Sequence, residues 1–326
     1  MSPDRYKHQR YLLMTLDPVH PGAGGYRLGR VDNSIAREPG TRLPKIPGSS
    51  LHGAARSYAA YLYETPEAAG QSQEKVNEPE KNPVCYTFGY IKGKRMSSGV
   101  VNIFDAHLLL FPVHSMLGPV WVSTPRLLRE AGFSGLPEGE PAKTACWTTL
   151  NSNQRLNLGW LMLDSAAQVQ VQLPEAWKGS DWDAVAGRLV LVSDDLFPHI
   201  VNSNLDVRTS VAINPETGAA EEGALYTYEA IPRAAFLTAE VVLDDYNVEK
   251  KERPAFPIEK TDKGNKLPGR KWAGPLDVVR AGLKMIEYLS VGGMGTRGFG
   301  RIKLVGEPVE KTQQQIFDLL SQEASV

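Results

Sequence analysis

A glycine-rich hexapeptide, GMGTRG at residues 293–298, is the first pattern in this sequence that could do chemistry. It satisfies the G-x-G-x-x-G spacing of dinucleotide-binding loops, which place a phosphate at the N-terminus of the helix that follows. Here the predicted order is reversed, with a helix before the loop and a strand after it, which disfavours a dinucleotide site. Two interpretations remain. The glycines form a turn with positive φ and close packing, or the exposed amides, with Arg297 and Arg301, approach an RNA backbone.

Basic residues concentrate in two segments, although the whole chain has a formal net charge of −1. Residues 250–271 carry eight basic residues against three acidic ones. Residues 27–56 carry six basic residues against Asp32 and Glu38, and the six are Arg27, Arg30, Arg37, Arg42, Lys45 and Arg56. Segments of this kind are either solvated surface or a local surface for nucleic acid.

Other polar clusters predict structural roles. Asp194 and Asp195 are adjacent, and paired carboxylates can hold a metal or share a proton. The sequence offers no third ligand beside them, so we interpret them as turn residues. Asp105, His107 and His114 interrupt an apolar segment, where hydrogen-bonded structural groups are the expectation.

Composition favours a protein with a substantial core. Of 326 residues, 42% are apolar and 22% are charged, which excludes wholesale disorder, and the length fits two domains or one elaborated domain. Cys85 and Cys146 are too few for a zinc cage or a disulfide framework and predict a reducing, cytoplasmic setting. The apolar run at 108–113 is far shorter than the roughly 18 residues that span a bilayer, so no membrane partner is predicted.

Two helices are predicted from apolar spacing. One begins at the Gly-Ser-Ser of 48–50, where Ser49 or Ser50 would be the N-cap. Its apolar face contains Leu51, Ala54, Ala55, Tyr58, Ala59 and Leu62. The other begins at Pro275, and its seam contains Leu276, Val279, Leu283 and Ile286.

The remaining segments alternate strands with turns. The turn-rich NPETG at 214–218 separates strand-like arms at 206–213 and 224–228, which predicts a long β-hairpin. The polar composition of residues 64–83 predicts a mobile surface insertion. The basic segment 250–274, which contains Pro and Gly, is predicted to be a loop. Strands are also predicted at 11–16, 100–113, 167–173, 188–192 and 301–305. Strand-rich insertions between two helices favour an α+β fold.

Two blocks of the sequence resemble the RAMP superfamily of CRISPR proteins. They are VDNSIAREPGTRLPKIPGSSLHGAAR at 31–56 and GGMGTRGFGRIKL at 292–304. Three further blocks resemble the multi-copy, target-RNA-cleaving backbone subunit of type III-B (Cmr) effector complexes, and they lie at 100–125, 189–197 and 213–232. One departure is His52, where the family usually has a lysine.

The resemblance implies a single RAMP-type domain over 1–326. An RRM-like, ferredoxin-like palm would be formed by about 8–62, 100–125, 165–200 and 230–305, with a helical insertion and the hairpin 206–228 as a thumb. Copies of such a subunit stack along guide RNA, and each thumb displaces one base pair of the guide–target duplex. The implied partners are CRISPR guide RNA, complementary single-stranded target RNA, further copies of the chain and other Cmr subunits.

The resemblance also implies roles for individual residues. Asp32 matches the catalytic aspartate of the family, His20 the histidine of its first loop, and Glu229 with Tyr228 an acidic position of the same site. A divalent metal, Mg²⁺ or Mn²⁺, is the implied cofactor. The implied RNA-binding residues are Arg37, Arg42, Lys45, Ser49, Ser50, His52, Arg56, Gly293, Gly295, Arg297, Gly298, Gly300 and Arg301.

Three functions fit these features. The first is an endoribonuclease that is also a filament scaffold, which Asp32 favours. The second is a guide-RNA-binding scaffold subunit of a related type III complex in which the aspartate is idle. The third, a monomeric ribonuclease that processes the guide precursor, is disfavoured by the predicted hairpin and by the blocks between 100 and 232.

Overall fold

A computed structural model describes residues 4–24, 31–151, 154–248, 256 and 272–323, with the backbone alone for 222–224 and 323. These residues contain fifteen strands: β1 (Tyr6–Thr15), β2 (Lys45–Ile46), β3 (Gly89–Lys92), β4 (Arg95–Ser98), β5 (Val101–Ile103), β6 (Ala106–Ser115), β7 (Gly118–Ser123), β8 (Ala145–Thr148), β9 (Leu156–Leu158), β10 (Leu161–Gln168), β11 (Leu189–Leu191), β12 (Asp206–Ile213), β13 (Ala220–Ala230), β14 (Phe236–Asp244) and β15 (Ile302–Thr312).

The same residues contain seven α-helices: α1 (Gly48–Leu62), α2 (Pro83–Phe88), α3 (Pro125–Glu130), α4 (Ser180–Ala186), α5 (Phe197–Ser203), α6 (Pro275–Met285) and α7 (Gln313–Glu323). Short 3₁₀ helices lie at Pro66–Ala69, Pro79–Lys81, Glu175–Trp177 and Gly295–Arg297. None of the helices in the described residues has the length and apolar character needed to cross a bilayer. The predicted basic loop at 250–274 lies outside the described residues, apart from Phe256 and 272–274.

Eleven of the described strands form one mixed sheet, so the α+β class is confirmed. Its main path runs β15-β1-β14-β6-β7-β11-β8-β10-β9, with β2 paired to β6 and β5 paired to β14. The β7–β11 and β8–β10 pairs are parallel and the other pairs are antiparallel. Strand β6 joins the two halves, because it pairs with β14 early in its length and with β7 later.

Both faces of the sheet are covered where β1 crosses it. Tyr11 and Leu13 of β1 belong to the core that contains α1 and α6. Leu12 between them belongs to a second core on the other face, with Trp177 and Trp182. A strand buried on both faces carries a continuous apolar run rather than an alternating one, which explains the YLLMT sequence of β1.

Helices α1 and α6 approach each other closely at Gly282. A Cβ built on Gly282 would lie 2.1 Å from the carbonyl oxygen of Ala55, so a larger residue would push the helices apart. The predicted seams are present, because Leu51, Val279 and Leu283 are all buried. The two helices therefore form one layer under the sheet.

The start of α1 differs from the prediction. Pro47 is the N-cap, Ser49 and Ser50 lie in the first turn, and no side chain of the N-cap residue bonds to the helix. The Oδ1 atom of Asp105 instead accepts a hydrogen bond of 2.7 Å from the Gly48 amide. The acceptor comes from the β5–β6 connection, and an N-cap rule that considers only local residues misses it.

Residues 64–83, predicted as a mobile surface insertion, are attached to the rest of the chain. Ala68, Gln73 and Val76 are buried. The amide of Ile91 donates to Gln73 Oε1 and the amide of Gln73 donates to Ile91 O, both over 2.8 Å. Ala68, Gln73 and Val76 are small or polar and lie in a charged segment, so their apolar pattern is too weak to predict that this segment packs on the rest of the chain.

Two strand boundaries also differ. β10 ends at Gln168, so most of the predicted strand 167–173 lies outside the ladder, with an isolated bridge between Ser134 and Gln172. β1 begins at Tyr6 rather than Tyr11, because its polar first half is paired on both sides, with β14 and β15. Cross-strand partners such as Glu240 for Arg10 stabilise residues that alone give no strand pattern.

The predicted long hairpin is present as β12 and β13, which form a separate two-stranded sheet. Asp206 pairs with Ala230 at its base, and Val211 pairs with Leu225 toward its tip. Asn214 closes the turn by accepting a bond of 2.8 Å from the Glu216 amide through Oδ1. The second arm begins earlier than predicted, at Ala220.

Candidate functional site

The loop that carries Asp32 runs beside the base of the hairpin. Asn33 forms a parallel bridge with Tyr228. The Asn33 amide donates to Thr227 O over 3.0 Å, and the Glu229 amide donates to Asn33 O over 3.2 Å. This short ladder places the Asp32 loop beside Tyr228 and Glu229, which lie almost 200 positions later in the sequence, and His20 contacts the carbonyl oxygen of Glu229.

Asp32 is the exposed member of the group. Its Oδ2 atom accepts hydrogen bonds from the Thr227 amide at 2.7 Å and from the Thr227 hydroxyl at 2.9 Å. These bonds stabilise the charged form and lower the pKa of the Asp32 carboxyl below its ordinary value. Asp32 therefore presents a fixed negative charge at the surface and is a weak proton acceptor at neutral pH.

His20 is buried and is held through both its ring and its backbone. Nδ1 lies 2.7 Å from the carbonyl oxygen of Glu229, which can only accept, so Nδ1 carries the proton in this contact. The His20 carbonyl in turn accepts a bond of 2.9 Å from the Gly293 amide. Gly292 has a φ of +84°, and a Cβ there would lie 2.7 Å from the same carbonyl, so this position requires glycine.

Glu229 and Arg37 form a buried, bidentate ion pair. Arg37 Nη1 and Nη2 lie 2.5 and 2.7 Å from the two carboxylate oxygens of Glu229. The Ile35 amide also donates to Glu229 Oε1 over 2.9 Å, and Arg37 Nε donates to Asn202 Oδ1 of α5 over 2.9 Å. Glu229, predicted as a catalytic residue, and Arg37, predicted as an RNA contact, are therefore paired with each other. Their ion pair connects the Asp32 loop to the hairpin and to α5.

Tyr228 packs against the glycine-rich loop. Its ring centroid lies 5.5 Å from that of Phe299 and 6.4 Å from that of His20, both in edge-on geometry. Ser210 donates a hydrogen bond of 3.3 Å to its hydroxyl. Arg297 lies over the ring of Tyr226, 5.3 Å from its centroid. This aromatic cluster holds the GMGTRG loop against the hairpin base.

Several predicted RNA contacts have partners within the chain. Lys45 pairs with Glu38 and Asp105, which raises its pKa through hydrogen bonds to Asp105 first and Glu38 second. Arg301 pairs with Asp17. These cations are already balanced within the molecule.

The predicted contacts on α1 also have structural roles. Arg56 is half-buried, and it donates to the carbonyls of Ala68 and Gly89. The His52 ring packs edge-on against Phe88, and burial, with the nearby Arg56 charge, lowers the pKa of His52. Both side chains hold α1 to the segment that follows it.

Arg42 and Arg297 differ from these residues, because neither forms an ion pair with any other described residue. Arg42 also has a left-handed backbone conformation with a φ of 62°, which is uncommon for a residue other than glycine. Of the remaining predicted contacts, Gly295 begins the 3₁₀ turn of the loop, and Gly298 and Gly300 have φ values of 82° and 96°.

A cleft of about 960 Å³ opens next to the Asp32 loop. Val31 and Ser34, on either side of Asp32, contribute to its wall together with Glu229. Trp160, in the turn between β9 and β10, also lines it and is 74% exposed. Nothing in the sequence pattern singled out Trp160, because a tryptophan in a short turn carries no periodic signal.

No group of three His, Cys, Asp or Glu side chains among the described residues is arranged to hold a metal ion. The adjacent carboxylates of Asp194 and Asp195 are one example, because Asp194 pairs with Arg126 and Asp195 pairs with Lys143. The side chains of the described residues therefore do not by themselves form a metal cage.

The family model described as the RAMP superfamily matches residues 12–303. The chain belongs to the RAMP superfamily. Within it, the chain is 28% identical over 239 residues to the CRISPR system Cmr endoribonuclease Cmr4 of Pyrococcus furiosus, covering 68% of this chain and 76% of that protein.

Two solved structures share the fold of this chain. One is the cryo-EM structure of the type III-B Cmr-beta bound to cognate target RNA, with a TM-score of 0.60 and 16% identity, covering 91% of this chain and 96% of that chain. The other is the crystal structure of oligomeric Cmr4 from Pyrococcus furiosus, with a TM-score of 0.54 and 20% identity, covering 93% of this chain and 99% of that chain.

Proposed function

We propose that this RAMP protein is a backbone subunit of a type III-B CRISPR effector complex that binds guide RNA as a filament and cleaves complementary target RNA at regular intervals. The observation that carries the proposal is the exposed Asp32 carboxylate, fixed by two hydrogen bonds at the base of a projecting hairpin. The similarity to an endoribonuclease of the same superfamily supports the reaction class.

In the proposed reaction the ribose 2′ oxygen attacks the adjacent phosphorus in line with the leaving 5′ oxygen, which gives a 2′,3′-cyclic phosphate and a 5′-hydroxyl, and the 2′-OH proton is passed through water to the 5′ oxygen. The reaction needs that geometry to be imposed, because regular A-form duplex holds the backbone out of line. Asp32 is the group that meets the RNA, orienting the 2′-OH by accepting its hydrogen bond. His20 and Glu229 are positioning residues in this proposal, since both are buried and both are occupied by contacts with the loop and the hairpin.

The hairpin is proposed as the thumb that displaces a base pair. Directly paired residues on the two arms share a face, so Val211, Leu225 and Thr227 lie on the face that also carries the Asp32 contact. Val211 and Leu225 are 40% and 66% exposed. An apolar two-stranded wedge beside an exposed carboxylate is suited to unstacking bases next to the phosphate that is cut.

An RRM-like, ferredoxin-like palm is the proposed core. The strand order supports it: among the four strands that flank α1 and α6, the sheet order is β15, β1, β14, β6, that is, fourth, first, third and second along the chain. The second core covers the face opposite the helices, which in an isolated RRM is the RNA-binding face. RNA is therefore proposed to bind along the loops and the hairpin base.

The proposed partners are guide RNA, complementary target RNA, further copies of this chain and other Cmr subunits, in the cytoplasm. The solved relatives with target RNA and as an oligomer support this assignment. A divalent ion, Mg²⁺ or Mn²⁺, is retained as a proposed cofactor, and most of its ligands would have to be RNA oxygens and water, because the described residues offer no cage.

One observation favours a second function, a scaffold subunit without cleavage. Thr227 engages Asp32 through two bonds, an arrangement that alone would explain the aspartate as a loop anchor. The test is to assemble the complex with guide RNA and a matched, end-labelled RNA, with Mg²⁺ or with a chelator. Cuts at constant spacing in Mg²⁺ support the endoribonuclease, whereas tight binding without cuts supports the scaffold, and cuts with the chelator present would remove the metal from the proposal.

A further inference from the structure

Trp160 is the most exposed large apolar side chain of the described residues, at 74%. It lies in a tight turn between two short strands, where Gly159 has a φ of +69°. Neighbouring Leu161 pairs with Leu158 across that turn, so the position of Trp160 is fixed by the strands on both sides. Tryptophan is enriched at interaction surfaces, because its ring offers a large apolar face and its N–H can find a partner.

The cleft that Trp160 lines is continuous with the candidate site. Val31 and Ser34 belong to its wall and flank Asp32 in sequence. Glu229 also lines it, and Glu229 lies on the hairpin face that carries Val207, Val211 and Leu225. A base that the apolar face of the hairpin pushes aside would therefore enter the cleft rather than the glycine-rich loop on the opposite face.

The cleft also contains a cation that is not balanced within the described part of the chain. Arg37 and Arg126 on its wall pair with Glu229 and Asp194, whereas Arg42 forms no ion pair with any residue that the structure describes. The turn that presents Arg42 is closed by hydrogen bonds: its amide donates to Glu38 O over 2.9 Å, and its carbonyl accepts from Asn202 Nδ2 over 3.2 Å. The turn therefore holds Arg42 in the left-handed conformation, at the edge of the cleft.

We propose that this cleft captures the displaced, unpaired base of an RNA nucleotide, which stacks on Trp160 while Arg42 contacts its phosphate. The inference rests on the proposed function and adds a base-binding site to it. The volume of about 960 Å³ is in the range of small-molecule sites, roughly 300–1,000 Å³. Stacking on an aromatic ring is tolerant of sequence, as a subunit that reads any guide requires.

Capture stabilises the distorted RNA that cleavage needs. Without a partner, a displaced base returns to the stack and its backbone returns to the regular geometry. By alanine substitution, stacking on an aromatic residue typically changes binding about 5- to 150-fold per base. Trp160 is therefore a positioning residue, and its removal is expected to reduce the population of cleavable RNA by a factor in that range.

The test combines protein and RNA changes in the assembled complex. Single-turnover cleavage is measured for wild type, Trp160→Ala and Trp160→Phe, each with an intact target and with a target abasic at the nucleotide beside a cut. We expect the Ala variant and the abasic site each to slow that cut by about 5- to 150-fold, and the combination to slow it no further. Trp160→Phe keeps a stacking ring and is expected to retain most of the rate. Tyr61→Ala, which removes a 66% exposed aromatic from the end of α1, is the matched control.

A fluorescent base separates this inference from the proposed function. 2-Aminopurine at the displaced position is expected to be quenched in the Asp32→Asn complex, where cutting is blocked, and to brighten when Trp160→Ala is added. The inference would be overturned if the rate of Trp160→Ala were unchanged, or if Trp160→Ala and the abasic target together slowed cleavage by the product of their separate effects. Either result would leave cleavage itself established. A Trp160→Ala chain that folds but no longer assembles would assign Trp160 to a protein contact instead. Quenching by Trp160 in a complex that never cuts would refute the cleavage proposal alone.

Discussion

The base and the tip of the β12–β13 hairpin differ in how they contact the rest of the molecule. At the base, Tyr228, Glu229 and Ala230 are 5%, 7% and 0% exposed. Toward the tip, Ile213 and Leu225 are 55% and 66% exposed. The buried base fixes the orientation of the hairpin relative to the rest of the chain, and the exposed tip projects from it. An element that wedges bases apart needs both features. Evenly spaced cutting is therefore expected to need both the groups at the base and the full length of the projecting arms.

Shortening the tip should have the largest effect. We expect a chain in which residues 214–219 are replaced by a two-residue Gly turn, with the next pairs of β12 and β13 removed, to lose evenly spaced cleavage by roughly two orders of magnitude or more, because the RNA stays in regular geometry. The palm should remain folded, since loop tips tolerate such changes. Mapping cut positions on a matched RNA checks this.

The matched control replaces only 214–219 with a flexible loop of equal length and keeps both arms. It should cut at the wild-type positions. An unaltered ladder from the shortened chain would mean that another element displaces the bases.

Breaking the ion pair at the base should mainly cost stability. Arg37→Met leaves the Glu229 carboxylate buried without its partner, which is expected to lower the free energy of unfolding by about 3–5 kcal/mol. Arg37→Met with Glu229→Gln should recover part of that stability, because no charge is then stranded. Chemical denaturation of the isolated chains measures both, and equal destabilisation of the single and double variants would contradict a buried pair.

Cations that form no ion pair with another described residue should contribute more to RNA affinity than ion-paired ones. We expect Arg42→Ala with Arg297→Ala to reduce the slope of log affinity against log salt by roughly 0.7–0.9 for each phosphate that is no longer neutralised. Lys45→Ala with Arg301→Ala is the matched pair of cations that are balanced within the chain, and it should change the slope less. Identical slopes for the two double variants would show that internal pairing does not decide which cations meet RNA.

The smallest expected effect concerns the acid limit of cleavage. The Thr227 bonds lower the pKa of Asp32, so the carboxylate persists to lower pH than an unbonded aspartate. Thr227→Val removes the hydroxyl bond and keeps the amide bond, so the pKa should rise toward the ordinary value. The cleavage rate of this variant should then begin to fall at a higher pH than that of wild type. Superimposable pH profiles would show that the ionisation of Asp32 does not limit the reaction.

Local patterns predicted the elements of the hairpin base but not its contacts. Apolar spacing was enough for α1 and α6, and the NPETG turn was enough for the hairpin, because both signals lie within one segment. The pair of Arg37 and Glu229 joins positions 192 residues apart, and no composition or spacing rule links them. The prediction of the hydrogen-bond acceptor at the start of α1 was wrong for the same reason, since Asp105 is 57 positions from Gly48.

The central claim is that Asp32, at the base of the hairpin, cuts the RNA that the hairpin distorts. The most direct test assembles complexes from mixtures of wild-type and Asp32→Asn chains and measures single-turnover cleavage at every cut position. Asp183→Asn, an exposed aspartate on α4, is the matched control. We predict that pure Asp32→Asn complexes bind target RNA with nearly unchanged affinity and cut roughly 10²- to 10³-fold more slowly. In the mixtures, cut intensity should fall in proportion to the variant fraction while the spacing stays constant. A ladder whose intensity does not change with the fraction of Asp32→Asn would contradict the account.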